Sequence, residues 1–219
     1  LYNWTQGAIS LLTPIAEAVH EIILSGTHIK IDETPIKAGR TKKANKQRSG
    51  TIGRMKTGWL WPILGEHGDI GFRYSPSRAM NVVAESLDGK FSGVMQTDGY
   101  DVYARYAALH EQIIHALCWS HTRRTFLKAE KSDPWAVRTI LALIAVLYRI
   151  ERQLRDTDAT DEEILQIRRT RSKRCVDKIF RWINQERHKP ELLPKSPLAK
   201  ALNYAATREA GLRVFLDDS

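Results

Sequence analysis

Cysteine is nearly absent from this chain. Only Cys118 and Cys175 occur among 219 residues, too few for a disulfide framework and in keeping with a reducing compartment. Long apolar runs are scarce as well. The longest uninterrupted one, Ile140 to Leu147, falls far short of a bilayer crossing, so no membrane partner is expected. No leader with a basic start, an apolar middle and a small-residue cleavage site is visible, which points to the cytoplasm. Acid is under-represented: 25 Asp and Glu against 34 Lys and Arg leave a net charge of +9. That balance favours an anionic partner, nucleic acid first. A hydrophobic content of 42% is enough for a real core in one large domain or two small ones. The chain opens at Leu1 without Met and closes on Phe215-Leu-Asp-Asp-Ser219, and so reads as a piece of something longer.

Local signals then divide the chain. Thr13-Pro14 predicts a helix start, Thr as cap and Pro at the first helical position, with Ser25-Gly26 as its stop. Ile29 and Ile31 alternate with Lys30 and Asp32, the period of a strand. Trp59 to Leu64 and Ile70 to Tyr74 read as a hairpin around Gly65 to Asp69. Ser77 caps a helix that ends near Leu87, with Gly89 beyond it. Phe91 to Asp98 reads as a strand, Val102 to Leu109 as a short helix and Ile113 to Trp119 as a further strand. After Arg124 the pattern is helical only. Asp133-Pro134 starts one helix, Thr160-x-x-Glu163 is a capping box, and Val176, Ile179, Phe180 and Ile183 form one apolar stripe. Pro190 and Pro194 end that helix, and Ser196-Pro197 starts the last. The order predicts an α/β fold: a three-strand meander plus strands reached by helical crossovers, a mixed sheet, then an all-helical region. The expected divisions are an N-terminal helix over 1–26, a core over 27–127 and a helical region over 128–219.

Two aspartates close strands in this scheme. Asp32 lies in His28-Ile-Lys-Ile-Asp-Glu-Thr-Pro35 and Asp98 in Gln96-Thr-Asp-Gly-Tyr100. Carboxylates at strand ends present hard oxygen ligands suited to Mg²⁺ or Mn²⁺. A helical crossover would let the fourth strand lie parallel to the first, with both aspartates at one edge of the sheet. The competing reading makes each a turn residue, before Thr34-Pro35 and before Gly99. Glu33 points to the opposite face of its strand and is assigned a structural or supporting part. Thr97-Asp98-Gly99 inverts the order an aspartic protease requires. Cys118-x-x-His121 is half of a zinc spacing without a second pair.

Cationic residues supply candidate phosphate contacts. Arginine forks suit phosphate, which nominates Arg123 and Arg124, the alternative being ordinary surface charge or pairing with nearby acids. The stretch from Gly39 to Lys56 carries Arg40, Lys42, Lys43, Lys46, Arg48, Arg54 and Lys56 and no acid. It fits either a loop that tracks a DNA backbone or a charged, soluble hairpin tip. Arg168 to Arg174 lies on a helix with charges on more than one face, as on a solvated surface. Trp59 and Trp61 fit a half-buried strand better than a base-stacking platform.

Six stretches in order resemble the bacterial transposases of the insertion-sequence-66 family. They are His28 to Pro35, Tyr74-Ser-Pro-Ser-Arg78, Phe91 to Tyr100, Cys118-Trp-Ser-His-Thr-Arg-Arg124 with Phe126, Leu147-Tyr-Arg-Ile-Glu151, and Pro197 to Ala205. The resemblance implies an RNase H-like core with a DDE triad, in which Asp32 and Asp98 hold Mg²⁺ or Mn²⁺ for cleavage and strand transfer on DNA. It also implies that His121 sits close to the reacting phosphate, that Arg78, which matches the family's Pro-Ser-Arg, contacts phosphate rather than pairing with a nearby acid, that the protein assembles as a homo-oligomer on transposon ends and target DNA, and that it works in a bacterial cytoplasm. The family's Asn-Asn-x-x-Glu-Arg stretch, the best source of the third acid, is missing from this sequence. Glu151 is the in-chain substitute to weigh, although an acid four residues from Arg155 on a helix is more often a surface pair. The alternative is a catalytically incomplete transposase that binds DNA or a partner chain, and an RNase H-like nuclease of another kind is a third reading.

Overall fold

In a computed structural model the structure describes residues 2–40 and 55–219, with side chains from residue 4 to 38 and from 56 onward. Lys42, Lys43, Lys46 and Arg48, nominated above for DNA, lie outside the described residues. The chain divides into two compact units, Leu1–Ile114 and His115–Ser219.

The first unit opens with helix α1, Tyr2–Ser25, which runs through Pro14. Thr13-Pro14 is therefore not its start. The proline removes one backbone donor, and the Thr13 hydroxyl donates to the Ile9 carbonyl at 2.8 Å instead of capping. This also corrects the expectation that no stretch reaches membrane-spanning length. Trp4–Ser25 does so by length and composition, a fact hidden when the run is broken at Thr13. Several of its apolar side chains, Trp4, Leu11 and Ile15 among them, are exposed.

Strands β1 (His28–Ile31), β2 (Thr34–Arg40), β3 (Met55–Gly65) and β4 (Ile70–Ser75) follow, then α2 (Met80–Leu87), β5 (Gly93–Thr97), α3 (Asp101–Ala108) and β6 (Ile113–Leu117). The sheet is mixed, with six strands among the described residues. Its order is β2-β3-β1-β5-β6, and β4 pairs with the other edge of β3. The meander and the parallel β1–β5 pair match the pattern read from the sequence; β2 was not foreseen. β1 and β2 face β3 in one unbroken register: Ile31 opposite Ile63, then Thr34 opposite Leu60. They are one strand interrupted at Asp32 and Glu33. The cause is Pro62. Asp32 N–H donates to the Pro62 carbonyl at 3.4 Å, but proline has no N–H to return the bond, so the ladder fails there. Ile29, Ile31, Trp61, Ile63 and Met95 face the buried side, packed with Val83, Leu87 and Tyr103 from the helices.

The second unit is helical: α4 (Trp119–Leu127), α5 (Pro134–Asp156), α6 (Asp161–Ile167), a π-helical turn at Arg168–Ser172, α7 (Lys173–Arg187), α8 (Pro197–Ala206), α9 (Glu209–Arg213) and a final 3₁₀ turn. The start signals function as read. Asp133 accepts from Ala136 N–H, Ser196 accepts from Ala199 N–H, and the Thr160–Glu163 capping box is complete. Val176, Ile179, Phe180 and Ile183 are all buried, against Ile140, Ile144 and Leu147 of α5 and Leu202 and Ala205 of α8. Three cations of the basic run are paired: Arg168 with Glu151, Arg169 with Asp217, Lys173 with Asp177.

Candidate metal centre

Alternation sets the direction of the two aspartates. Along β1, Ile29 and Ile31 are buried while Lys30 and Asp32 are exposed, and Glu33 is buried again. Along β5, Met95 and Thr97 are buried while Gln96 and Asp98 are partly open. β5 lies parallel to β1, pairing His28 with Val94 and Lys30 with Gln96. Two residues further along each strand, on the same face, stand Asp32 and Asp98. Their carboxylates present oxygens within 4.8 Å of each other. Local bonds hold each one in place. Glu33 N–H donates to Asp32 Oδ1 at 2.9 Å, and Tyr100 N–H donates to Asp98 Oδ1 at 2.7 Å.

The chemistry of this donor set suits a hard divalent cation. Two carboxylates this close repel one another, and a cation between them relieves the repulsion. Oxygen is the only donor type the pair offers, which favours Mg²⁺ or Mn²⁺ over softer metals.

Next to the pair lies an ion pair between buried Glu33 and partly exposed Arg78. The Glu33 side chain is only 1% exposed. It accepts from Arg78 Nε at 2.7 Å, and also from Arg78 Nη2 and the Tyr103 hydroxyl. The Arg78 guanidinium lies 4.8 Å from the Trp59 ring centroid and 3.9 Å from that of Tyr100. Burial and the adjacent Glu33 carboxylate push the Tyr103 hydroxyl far above the ordinary phenol range. Tyr100 and Tyr103 carried no role in the sequence reading. Only their spacing of three around a helix start hinted that both face the same neighbour.

The other nominated residues belong to the second unit. His121 stands in the first turns of α4, and Arg124 Nη2 lies 2.7 Å from its Nε2. Arginine can only donate, so Nε2 accepts and the ring proton resides on Nδ1. Arg123 and Arg124 are exposed. Cys118 and Cys175 are free thiols, both half-buried. Glu151 is engaged on both oxygens by Arg168, at 2.6 and 3.2 Å, and Arg168 also donates to the Asp218 carbonyl at 2.6 Å.

Comparison with known proteins adds a family. The sequence profile of the "Transposase IS66 family" matches residues 1–219. Two proteins of Sinorhizobium fredii are similar. "Uncharacterized protein y4qI" is 29% identical over 228 aligned residues, covering 94% of this chain and 39% of that protein. "Uncharacterized protein y4jD" is 30% identical over 156 residues, covering 68% of this chain and 29% of that protein. The chain thus spans well under half the length of either relative.

Proposed function

Because the chain belongs to the transposase IS66 family, we propose that it is the metal-holding catalytic region of a DDE-type DNA transposase, with Asp32 and Asp98 as cation ligands. The observation that carries this reading is their adjacency across the parallel β1–β5 pair, oxygens within 4.8 Å. A divalent cation held there would supply charge neutralisation at a phosphodiester and activation of the attacking oxygen. The chain's own contribution is orientation. The sheet register sets the separation of the two carboxylates, and the backbone N–H groups of Glu33 and Tyr100 fix one oxygen of each. His121, with Arg123 and Arg124, is assigned to the phosphate of the DNA strand, on the strength of the family resemblance and the fork chemistry of arginine. Arg78 is committed to Glu33 and serves the site indirectly. DNA cleavage and strand transfer, transposon ends and target as substrates, and assembly as a homo-oligomer in a bacterial cytoplasm belong to the same proposal for the whole protein.

Glu151 receives no ligand role, because Arg168 occupies both its oxygens. A second reading is a DNA- or partner-binding module. One set of measurements separates the two. Mn²⁺ titration of the wild-type chain, followed by electron paramagnetic resonance of the free ion, should reveal a site that Asp32→Asn or Asp98→Asn weakens at least tenfold. Equal binding by wild type and both variants would remove the metal assignment. DNA binding that is retained with no metal-dependent nicking would favour the module.

A further inference from the structure

We propose that Glu33 and Arg78 form a positioning clamp that sets the separation of Asp32 and Asp98; the inference rests on the reading of those two aspartates as cation ligands. Each aspartate is bonded to a backbone N–H, Asp32 to that of Glu33 and Asp98 to that of Tyr100. The side chains of these two donors, Glu33 and Tyr100, meet on one arginine. Arg78 donates twice to Glu33 Oε1 and lays its guanidinium on the Tyr100 ring at 3.9 Å. The Tyr100 hydroxyl returns a bond to the Arg78 carbonyl at 2.9 Å. Tyr103, one turn into α3, donates to the other Glu33 oxygen. Arg78, whose side chain is partly exposed, therefore bridges the residue that follows Asp32 and the turn that follows Asp98.

Physical cost argues for a purpose. Burying the Glu33 carboxylate carries a desolvation cost that its pair with partly exposed Arg78 can do little more than offset, so the pair is weak evidence of stability. The sandwich of Trp59, Arg78 and Tyr100 demands a planar fork on an aromatic face, a geometry that lysine does not reproduce. A support of this kind behind metal ligands changes metal affinity by about 10- to 100-fold when removed.

The test is Mn²⁺ affinity of the folded chain, read from the resonance of the free ion, alongside thermal melting by circular dichroism. The variants are Glu33→Gln, Arg78→Met and the triple Glu33→Met/Arg78→Met/Tyr103→Phe. The triple variant removes both charges and the stranded hydroxyl together, which keeps net charge and favours folding. A clamp predicts that both single variants weaken Mn²⁺ binding by about tenfold, and that the triple variant stays weak even where its melting temperature recovers. A simple field effect predicts opposite signs instead: weaker binding without Glu33, tighter without Arg78, and wild-type binding in the triple. That pattern, or affinity that recovers in step with stability, overturns the clamp. Asp32→Asn is the control. If it loses the ion while the clamp variants keep wild-type affinity, the clamp alone falls. If it binds like wild type, the cation reading falls and the clamp with it.

Discussion

Gly93→Ala should be among the most damaging small substitutions in the first unit. Gly93 opens β5 with φ at +143°, and a Cβ there would lie 2.1 Å from the Thr27 carbonyl oxygen and 2.9 Å from its carbon. Both atoms are backbone, so no side chain can swing aside. Relief requires a backbone shift of roughly 1.4 Å, since nonbonded heavy atoms settle at about 3.5 Å. The shift falls on the segment where Val94 N–H donates to Thr27 O at 2.8 Å and Gly93 N–H donates to Gln112 O at 3.0 Å. Backbone strain contributes about 1–3 kcal/mol, overpacking about 1–3 kcal/mol and the weakened Val94 bond about 1 kcal/mol. The combined cost, about 3–7 kcal/mol, is a large share of a domain stability of about 5–15 kcal/mol. Gly89→Ala is the matched control: φ is +62° but nothing lies within 4 Å of the added carbon, so only strain remains, about 1 kcal/mol. Urea unfolding followed by circular dichroism measures both. Because Gly93 anchors the β1–β5 register, the folded fraction of Gly93→Ala should also bind Mn²⁺ more weakly. Equal unfolding midpoints for the two variants would refute the steric argument.

Glu151→Gln should destabilise the second unit by about 1–3 kcal/mol through the lost charge-assisted bonds to Arg168, while Mn²⁺ affinity stays within twofold; a tenfold loss would restore Glu151 as a ligand. Asp177 bonds Lys173 and Arg213, and these bonds hold its carboxyl below the usual aspartate value. A depressed folded value adds stability above the ordinary aspartate pKa of about 3.9, and that contribution is lost as pH falls through the lower folded value. Acid titration of stability should therefore be shallower in Asp177→Asn, and an unchanged curve would dismiss the pair. Neutralising Lys42, Lys43 and Lys46 together should lower the salt slope of DNA binding by roughly 3 if all three meet phosphate; a constant slope would take the segment away from DNA.

The sheet and the aspartate pair were legible because strand alternation, turn residues and helical crossovers are local patterns. A period of two along each strand sets which residues share a face with Asp32 and which with Asp98, and the parallel pairing of β1 with β5 brings those two faces together. The remainder depended on distant partners. β2 carries Pro35 and Gly39, both discouraging in a strand, and forms because β3 continues the register already set by β1. Thr13-Pro14 has the local form of a helix start, but the apolar turns before it belong to the same helix, which runs through Pro14. Arg78 reads from sequence as a phosphate ligand, whereas its fork is held by an acid 45 residues away. Tyr103 reaches the same carboxylate across 70 residues. Neither pairing leaves a trace in local periodicity.

The position of the acidic pair follows from how the sheet ends its ladders. Had residue 62 carried an N–H, Asp32 would exchange two bonds with β3 and sit inside a continuous strand. Pro62 cannot return the 3.4 Å bond that Asp32 N–H donates to its carbonyl, yet the strand phase is kept, so Asp32 still faces the side on which Asp98 emerges. Asp98 follows directly on β5, and the chain then turns into α3 at Asp101. The carboxyl ends of neighbouring parallel strands are where open α/β sheets place their ligands. At the opposite end of the pair, Glu66 accepts from the N–H and hydroxyl of Thr27 and from the N–H of His28, and Val94 bonds the Thr27 carbonyl. The amino end of the β1–β5 pair is thus held by backbone bonds and a carboxylate cap, and its carboxyl end carries the two aspartates. Any substitution that slips this pair by one residue would turn one aspartate into the core, so register, more than the presence of two acids, is what makes the site.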